Sequence, residues 1–168
     1  MAKLQVRDPL FKEKVIESFD RQQAMHTLGI SIKSVEAGEV TLTMAHSDAL
    51  TQQHGFIHGG IVSTMLDSAC GYAAFTLMPA DTAILSIEFK VNLLSPAKGE
   101  QFIAIGKVKK AGKTISVCEG ELYAVSLNKG TYEASYDERD DKQDTPPKLI
   151  ATMSCTLMAI ANRENLVN

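Results

Sequence analysis

Residues 59–79 read Gly59-Gly60-Ile61-Val62-Ser63-Thr64-Met65-Leu66-Asp67-Ser68-Ala69-Cys70-Gly71-Tyr72-Ala73-Ala74-Phe75-Thr76-Leu77-Met78-Pro79. Ile61, Met65, Ala69, Ala73 and Leu77 recur at every fourth position, and Val62, Leu66 and Cys70 widen that stripe. The pattern predicts a long helix buried on most sides. It opens at the paired glycines and stops at Pro79, beyond which a helix rarely runs.

Directly after it, residues 82–94 read TAILSIEFKVNLL. Leu85, Ile87, Phe89, Val91 and Leu93 alternate with Ser86, Glu88, Lys90 and Asn92, the period of a strand with one polar face. Residues 101–109 and 114–127 continue as strands around the turn Lys110-Ala111-Gly112-Lys113, and 149–160 is another. Upstream, 29–35 and 40–44 alternate around a Gly-containing turn and read as a hairpin. Asp8-Pro9 is a helix-start signal, with Asp as cap and Pro in the first turn. Phe11, Val15 and Phe19 then step along one face of a helix of roughly four turns that frays before Gly29. Short connections after the long helix require antiparallel pairing. The fold expected is therefore α+β, a curved antiparallel sheet around one apolar helix.

The chain has 168 residues, 45% hydrophobic and 22% charged, which suits one soluble domain over 1–168. Residues 1–28 form an N-terminal helical segment in this reading, and 128–148, charged and Pro-containing, a loop insertion. A net charge of -3 argues against nucleic acid as a partner. The charged N-terminus is not a signal peptide, and the apolar run from Ile61 to Met78 is too polar to span a bilayer. Cys70, Cys118 and Cys155 are odd in number and far apart, which reads as reduced, buried thiols in a cytoplasmic protein.

Asp67 is the one acidic residue of the long helix, and Ser63, Thr64 and Gly71 flank it on a stripe of small and polar side chains. A carboxylate in such a setting is costly unless it is paired or used, so it either makes a structural bond, meets a basic partner, or does chemistry. It lies seven residues past Gly60, almost two full turns. At Gly59 and Gly60 the first helical N–H groups lack intrahelical partners and carry partial positive charge, a place for a developing oxyanion. His58 precedes the glycines and His54 lies four residues earlier. A metal pair lacks a third ligand there, and a histidine that holds the turn fits better. Lys90, Lys107, Lys109, Lys110 and Lys113 are candidates for phosphate contacts, or plain solvated surface.

The run Gln53-His54-Gly55-Phe56-Ile57-His58-Gly59-Gly60, the six residues before Asp67, and the strand ending Asn92-Leu93-Leu94-Ser95-Pro96-Ala97 resemble the hotdog-fold thioesterases of the phenylacetate-pathway (PaaI-like) family. The turn at 110–113 resembles that family's turn before its fifth strand. The resemblance implies a hotdog fold and an acyl-CoA thioesterase with no metal or cofactor. It implies homodimers joined through residues 82–94, commonly paired again into homotetramers, with Asp67 of one subunit facing Gly59 of the other. It gives Asp67 the task of activating water or attacking the thioester, and Gly59 with Gly60 that of polarising the carbonyl. Ser86 falls where relatives keep a hydroxyl near the water, and Gln52 where many have Asn. His58 and His54 fall beside the substrate. The insertion at 128–148 departs from the family pattern. Alternatives are an acyl-CoA-binding or sensing module without catalysis, and a hydratase or dehydratase on the same fold.

Overall fold

The computed structural model describes residues 4–126 and 146–161. The elements run α1 (Phe11–Asp20), α2 (Gln23–Leu28), β1 (Ile30–Glu36), β2 (Glu39–Ala45), α3 (Gly59–Phe75), β3 (Thr82–Leu93), β4 (Gln101–Ala111), β5 (Ile115–Val125) and β6 (Lys148–Ala161), with a short 3-10 turn at Asp48–Leu50. The strands form one antiparallel sheet in the order β1-β2-β4-β5-β6-β3. The expected α+β hotdog architecture is thus present: the sheet curves around α3, which packs against every strand of it. The stretch expected as an insertion lies outside the described residues as far as 145, and Lys148 already belongs to β6.

The core forms where α3 presses its apolar side into the sheet. Met65, Leu66, Ala69, Cys70, Ala73 and Phe75 are fully buried there. Two glycines that the periodicity did not single out make this approach possible. Gly106 of β4 and Gly120 of β5 are directly opposite in the ladder. A Cβ at Gly106 would stand inside van der Waals contact of the Ala69 carbonyl and the Cys70 nitrogen, and one at Gly120 would come 2.9 Å from Cys70 Sγ. The pair is a notch that receives the helix backbone.

At the N-terminus the structure corrects the expected single helix. Asp8 does not cap α1 itself: its Oδ1 accepts from the Leu10 N–H at 3.0 Å, in the turn before the helix. The helix then breaks at Arg21-Gln22, and α2 follows. The break carries Met25, almost fully buried, down into the core after the apolar step of Phe11, Val15 and Phe19 runs out. Gly29, at φ +66°, ends α2 in the left-handed conformation that glycine adopts without strain.

Lys14 fastens α1 to the far end of α3. Its Nζ lies 3.2 Å from Asp8 Oδ2 and donates to the Met78 carbonyl at 2.8 Å, with the two side chains only 12% and 7% exposed. The Phe75 ring lies beneath it at 4.6 Å. The Leu10 N–H, then Lys14, hold the Asp8 carboxyl below its ordinary value of 3.8 against the opposing pull of burial. A depressed folded-state value means that this carboxylate stabilises the fold above about pH 4 and that the contribution is lost as pH falls through the lowered value. Lys14→Met is expected to cost about 3 kcal/mol, because Asp8 is left buried without its cation. The urea midpoint at neutral pH measures it, and an unchanged midpoint would show that the pair is idle.

Strand β3 is an edge strand, and its alternation is interrupted. The register with β6 shifts between Ser86 and Glu88, so Ile87 is the extra residue of a bulge. Beyond the bulge Phe89 pairs with Cys155 and Val91 with Met153, while before it Ser86 pairs with Leu157. Directly opposed residues share a face. Cys155, Met153 and Leu157 are buried toward α3. Ser86 therefore shares the helix side with Phe89, and Leu85, opposite Met158, takes the outer side. An unbroken alternation would have put Ser86 on the outer face.

Candidate active site

The N-terminus of α3 supplies the first group of site residues. His58 is its cap, with extended backbone, and His58 Nδ1 accepts from the Gly60 N–H at 2.9 Å. An accepting Nδ1 places the proton of the neutral ring on Nε2. The Ile61 and Val62 N–H groups both donate to the His58 carbonyl, at 2.9 and 3.2 Å. The Gly60, Ile61 and Val62 donors are thus committed. The Gly59 N–H has no acceptor among the described residues and is the donor left free at the positive end of the helix.

Gly59 and Gln52 line one cavity of about 390 Å³, with Phe56, Leu93 and Pro96. A Cβ at Gly59 would come 2.8 Å from Leu93 Cδ1, so bare backbone faces this space. Gln52 is held by the preceding loop: its Oε1 accepts from the His54 N–H, and its own N–H donates to the Phe56 carbonyl at 2.8 Å. Among the described residues the exposed His54 ring meets only Gln53, at 3.4 Å, and does not converge with the other groups. The Ser63 and Thr64 hydroxyls are occupied locally, donating back to the Gly59 and Gly60 carbonyls at 2.9 Å each.

The second group gathers at Asp67, which is partly exposed. Ser86 Oγ donates to Asp67 Oδ1 at 2.6 Å, and Cys155 Sγ lies 3.8 Å from the same oxygen. Among the described residues no lysine, arginine or histidine forms an ion pair with Asp67. Its other oxygen, Oδ2, has no hydrogen bond there. Asp67 and Ser86 line a cavity of about 370 Å³ with Arg21, Gly71 and Tyr72. Cys155 was not legible as part of the site, because only the fold places β6 beside this turn of the helix. Burial, then the charge of Asp67, push its thiol up to about 12. It is a protonated donor, not a nucleophile.

The two groups are separated. Asp67 follows Gly59 by eight residues, which on an α-helix is about 12 Å along the axis. One reacting carbonyl would have to lie about 3 Å from both the attacking group and the oxyanion donor. Asp67 and the Gly59 N–H of one chain cannot meet that condition together.

Other sequence candidates are placed without convergence. Lys107 pairs with Glu39 at 3.2 Å and Lys109 with Glu119 at 2.7 Å, and Lys90 donates to Asn92. Among the described residues no three His, Cys, Asp or Glu side chains come together as a metal site, and no helix is long and apolar enough to cross a membrane.

Comparison with known proteins matches residues 54–130 to the thioesterase superfamily. A thioesterase family protein from Silicibacter pomeroyi superposes with a TM-score of 0.79 at 46% identity, over 90% of this chain and 99% of that one. The PaaI protein of the phenylacetic acid degradation operon of E. coli superposes with a TM-score of 0.71 at 20% identity, over 90% and 94% of the two chains, a likeness of fold. Acyl-coenzyme A thioesterase 13 of Homo sapiens is 28% identical over 94 residues, 55% of this chain and 66% of that protein.

Proposed function

The chain belongs to the thioesterase superfamily, and from that premise we propose that it hydrolyses acyl-CoA to free acid and CoA at a site shared by two copies of the chain. Thioester hydrolysis is the reaction of the family. The acyl-CoA substrate is suggested by the human relative. The observation that carries the shared site is the separation along α3. The free Gly59 N–H and the Asp67 carboxylate are each aimed into a cavity, yet about 12 Å of helix lies between them. A second copy, related by a two-fold axis, brings the Gly59 of one helix to the Asp67 of the other.

In that site Asp67 Oδ2 takes the proton of a water as the oxygen attacks the thioester carbon, or attacks that carbon itself. The carbonyl oxygen gains charge and is met by the Gly59 N–H of the second copy, reinforced by the positive end of its helix. Collapse of the tetrahedral intermediate expels the CoA sulfur. In the water route the sulfur takes the proton that Asp67 removed from water. In the nucleophilic route it leaves as thiolate, and a water then cleaves the acyl-Asp67 anhydride, giving the free acid and a proton for the sulfur. His58 keeps the helix end in shape by occupying the Gly60 donor, so the oxyanion rests chiefly on Gly59. Gln52, in the Gly59 cavity, orients water or substrate, and Ser86 fixes the Asp67 carboxylate.

Strand β3 is the surface for the second copy. It is an edge strand of 12 residues. Leu85, Ile87, Phe89 and Leu93 on it are 47% to 57% exposed. A long apolar edge left open invites another strand. Pairing there gives a homodimer, and two such dimers a homotetramer, in a cytoplasmic enzyme working without metal or cofactor. The chain as a whole is taken as a single domain, with 128–148 as its insertion.

Thiol release from short, medium, long and aromatic acyl-CoAs tests the reading. Release from at least one class is expected. No release from any of them by a folded, oligomeric preparation would instead support a protein that binds acyl-CoA without cleaving it.

A further inference from the structure

Oδ1 of Asp67 is engaged twice, by the Ser86 hydroxyl at 2.6 Å and by Cys155 Sγ at 3.8 Å, whereas Oδ2 has no partner among the described residues. Ser86 comes from β3 and Cys155 from the adjacent β6, so two strands grip one oxygen of a side chain carried by the helix. Cys155 is almost completely buried. Its S–H has the Asp67 carboxylate within reach as acceptor.

We propose that Cys155 is a positioning residue for Asp67: its S–H and the Ser86 hydroxyl hold Oδ1 between them, so that Oδ2 is the oxygen presented to the substrate. The inference rests on the reading of Asp67 as the catalytic carboxylate. A thiol donates weakly, but Cys155 is itself buried and has Asp67 Oδ1 as its acceptor. The high thiol value given above keeps the proton on sulfur throughout any useful assay range. A thiol held protonated is a poor nucleophile, which fits a donor role rather than covalent catalysis. The ionisable neighbours are consistent with a donor role. Cys70 on α3 and Cys118 on β5 are also buried, and burial pushes both thiols up. Arg21 and Tyr72 line the Asp67 cavity, and Glu88 bears on Cys155 from β3.

The test compares Cys155→Ala, Cys155→Ser and Asp67→Ala with the wild type in the kcat and KM of acyl-CoA hydrolysis. Loss of the thiol donor leaves Oδ1 held by Ser86 alone, which slows the step at the reacting bond and leaves substrate binding as it was. In Cys155→Ala kcat is expected to fall about threefold at unchanged KM. Cys155→Ser, whose hydroxyl can donate in the thiol's place, is expected to bring kcat back. Packing loss alone would lower the amount of folded enzyme without lowering kcat per folded site. Should the alanine variant not fold, Cys155→Val fills the space without a donor and carries the same comparison. An unchanged kcat in a folded donor-less variant, with Asp67→Ala inactive, overturns this inference alone. Full activity in Asp67→Ala overturns the reading of Asp67 and this inference with it.

Discussion

Asp67→Ala is expected to lower kcat for acyl-CoA hydrolysis about a thousandfold, with KM nearly unchanged and the fold intact. Loss of a positioned general base costs roughly two to four orders of magnitude. The fall belongs to kcat because the carboxylate works on the reacting bond and contributes little to holding the substrate. The fold should survive because Asp67 is partly exposed and joins nothing but the Ser86 hydroxyl and the Cys155 thiol among the described residues. Asp67→Asn sharpens the test. Its amide oxygen can still accept from Ser86 and Cys155, but it neither takes a proton from water nor attacks the thioester. It should be as inactive as the alanine variant. Substantial activity in either variant, shown folded by its thermal transition, would remove Asp67 from the mechanism.

Gly106→Val is expected to cost at least about 3 kcal/mol and to leave little folded protein. Overpacking a core commonly costs about 1–3 kcal/mol, and the upper end applies where the obstacle cannot move. Here the obstacle is the backbone of α3 at Ala69 and Cys70, and not the yielding end of a side chain. The helix could retreat only by losing its seat on β4 and β5. Gly71→Ala is the counterpart. Gly71 lies in the same helix, its Cβ would meet nothing within 4 Å, and alanine is about 1 kcal/mol better than glycine inside a helix. Urea midpoints of the two variants should move in opposite directions. A Gly106→Val protein as stable as the wild type would show that the notch does not set the approach of helix to sheet.

Much of this architecture was legible in local pattern. The four-residue step from Ile61 to Leu77 foretold α3, and the alternation around 82–94 foretold β3, because each periodicity records one element lying on one surface. The break between α1 and α2 escaped, since it depends on Met25 finding the core rather than on any helix-breaking residue. The bulge at Ile87 escaped for a related reason. Its flanks alternate without interruption in the sequence, and only pairing with β6 shows the extra residue. That bulge decides the site, because it turns Ser86 to the side of Asp67. Gly106 and Gly120 carry no local signal of their own and gain meaning only when the sheet sets them side by side under the helix.

The site was legible to the extent that it depends on chemistry carried along one helix. A lone carboxylate and a pair of glycines at a helix start are visible without a structure. Which donor remains free is not visible, for that turns on the His58 ring taking the Gly60 N–H. Cys155 reads as an ordinary strand thiol until β6 is placed next to β3.

The central claim, a site shared between two copies, is tested most directly by co-expressing Asp67→Ala with Gly59→Pro and assaying the mixed oligomers. Proline removes the Gly59 N–H, yet it suits the first position of a helix, where that N–H has no helical partner. His58 before it already has the extended backbone that a following proline requires. Each variant alone should be inactive. In a mixed dimer both lesions fall in one site and the other site is whole, so random pairing should restore about a quarter of the wild-type activity. Mixed oligomers as inactive as either parent would place Asp67 and Gly59 in the same chain's site and contradict the account.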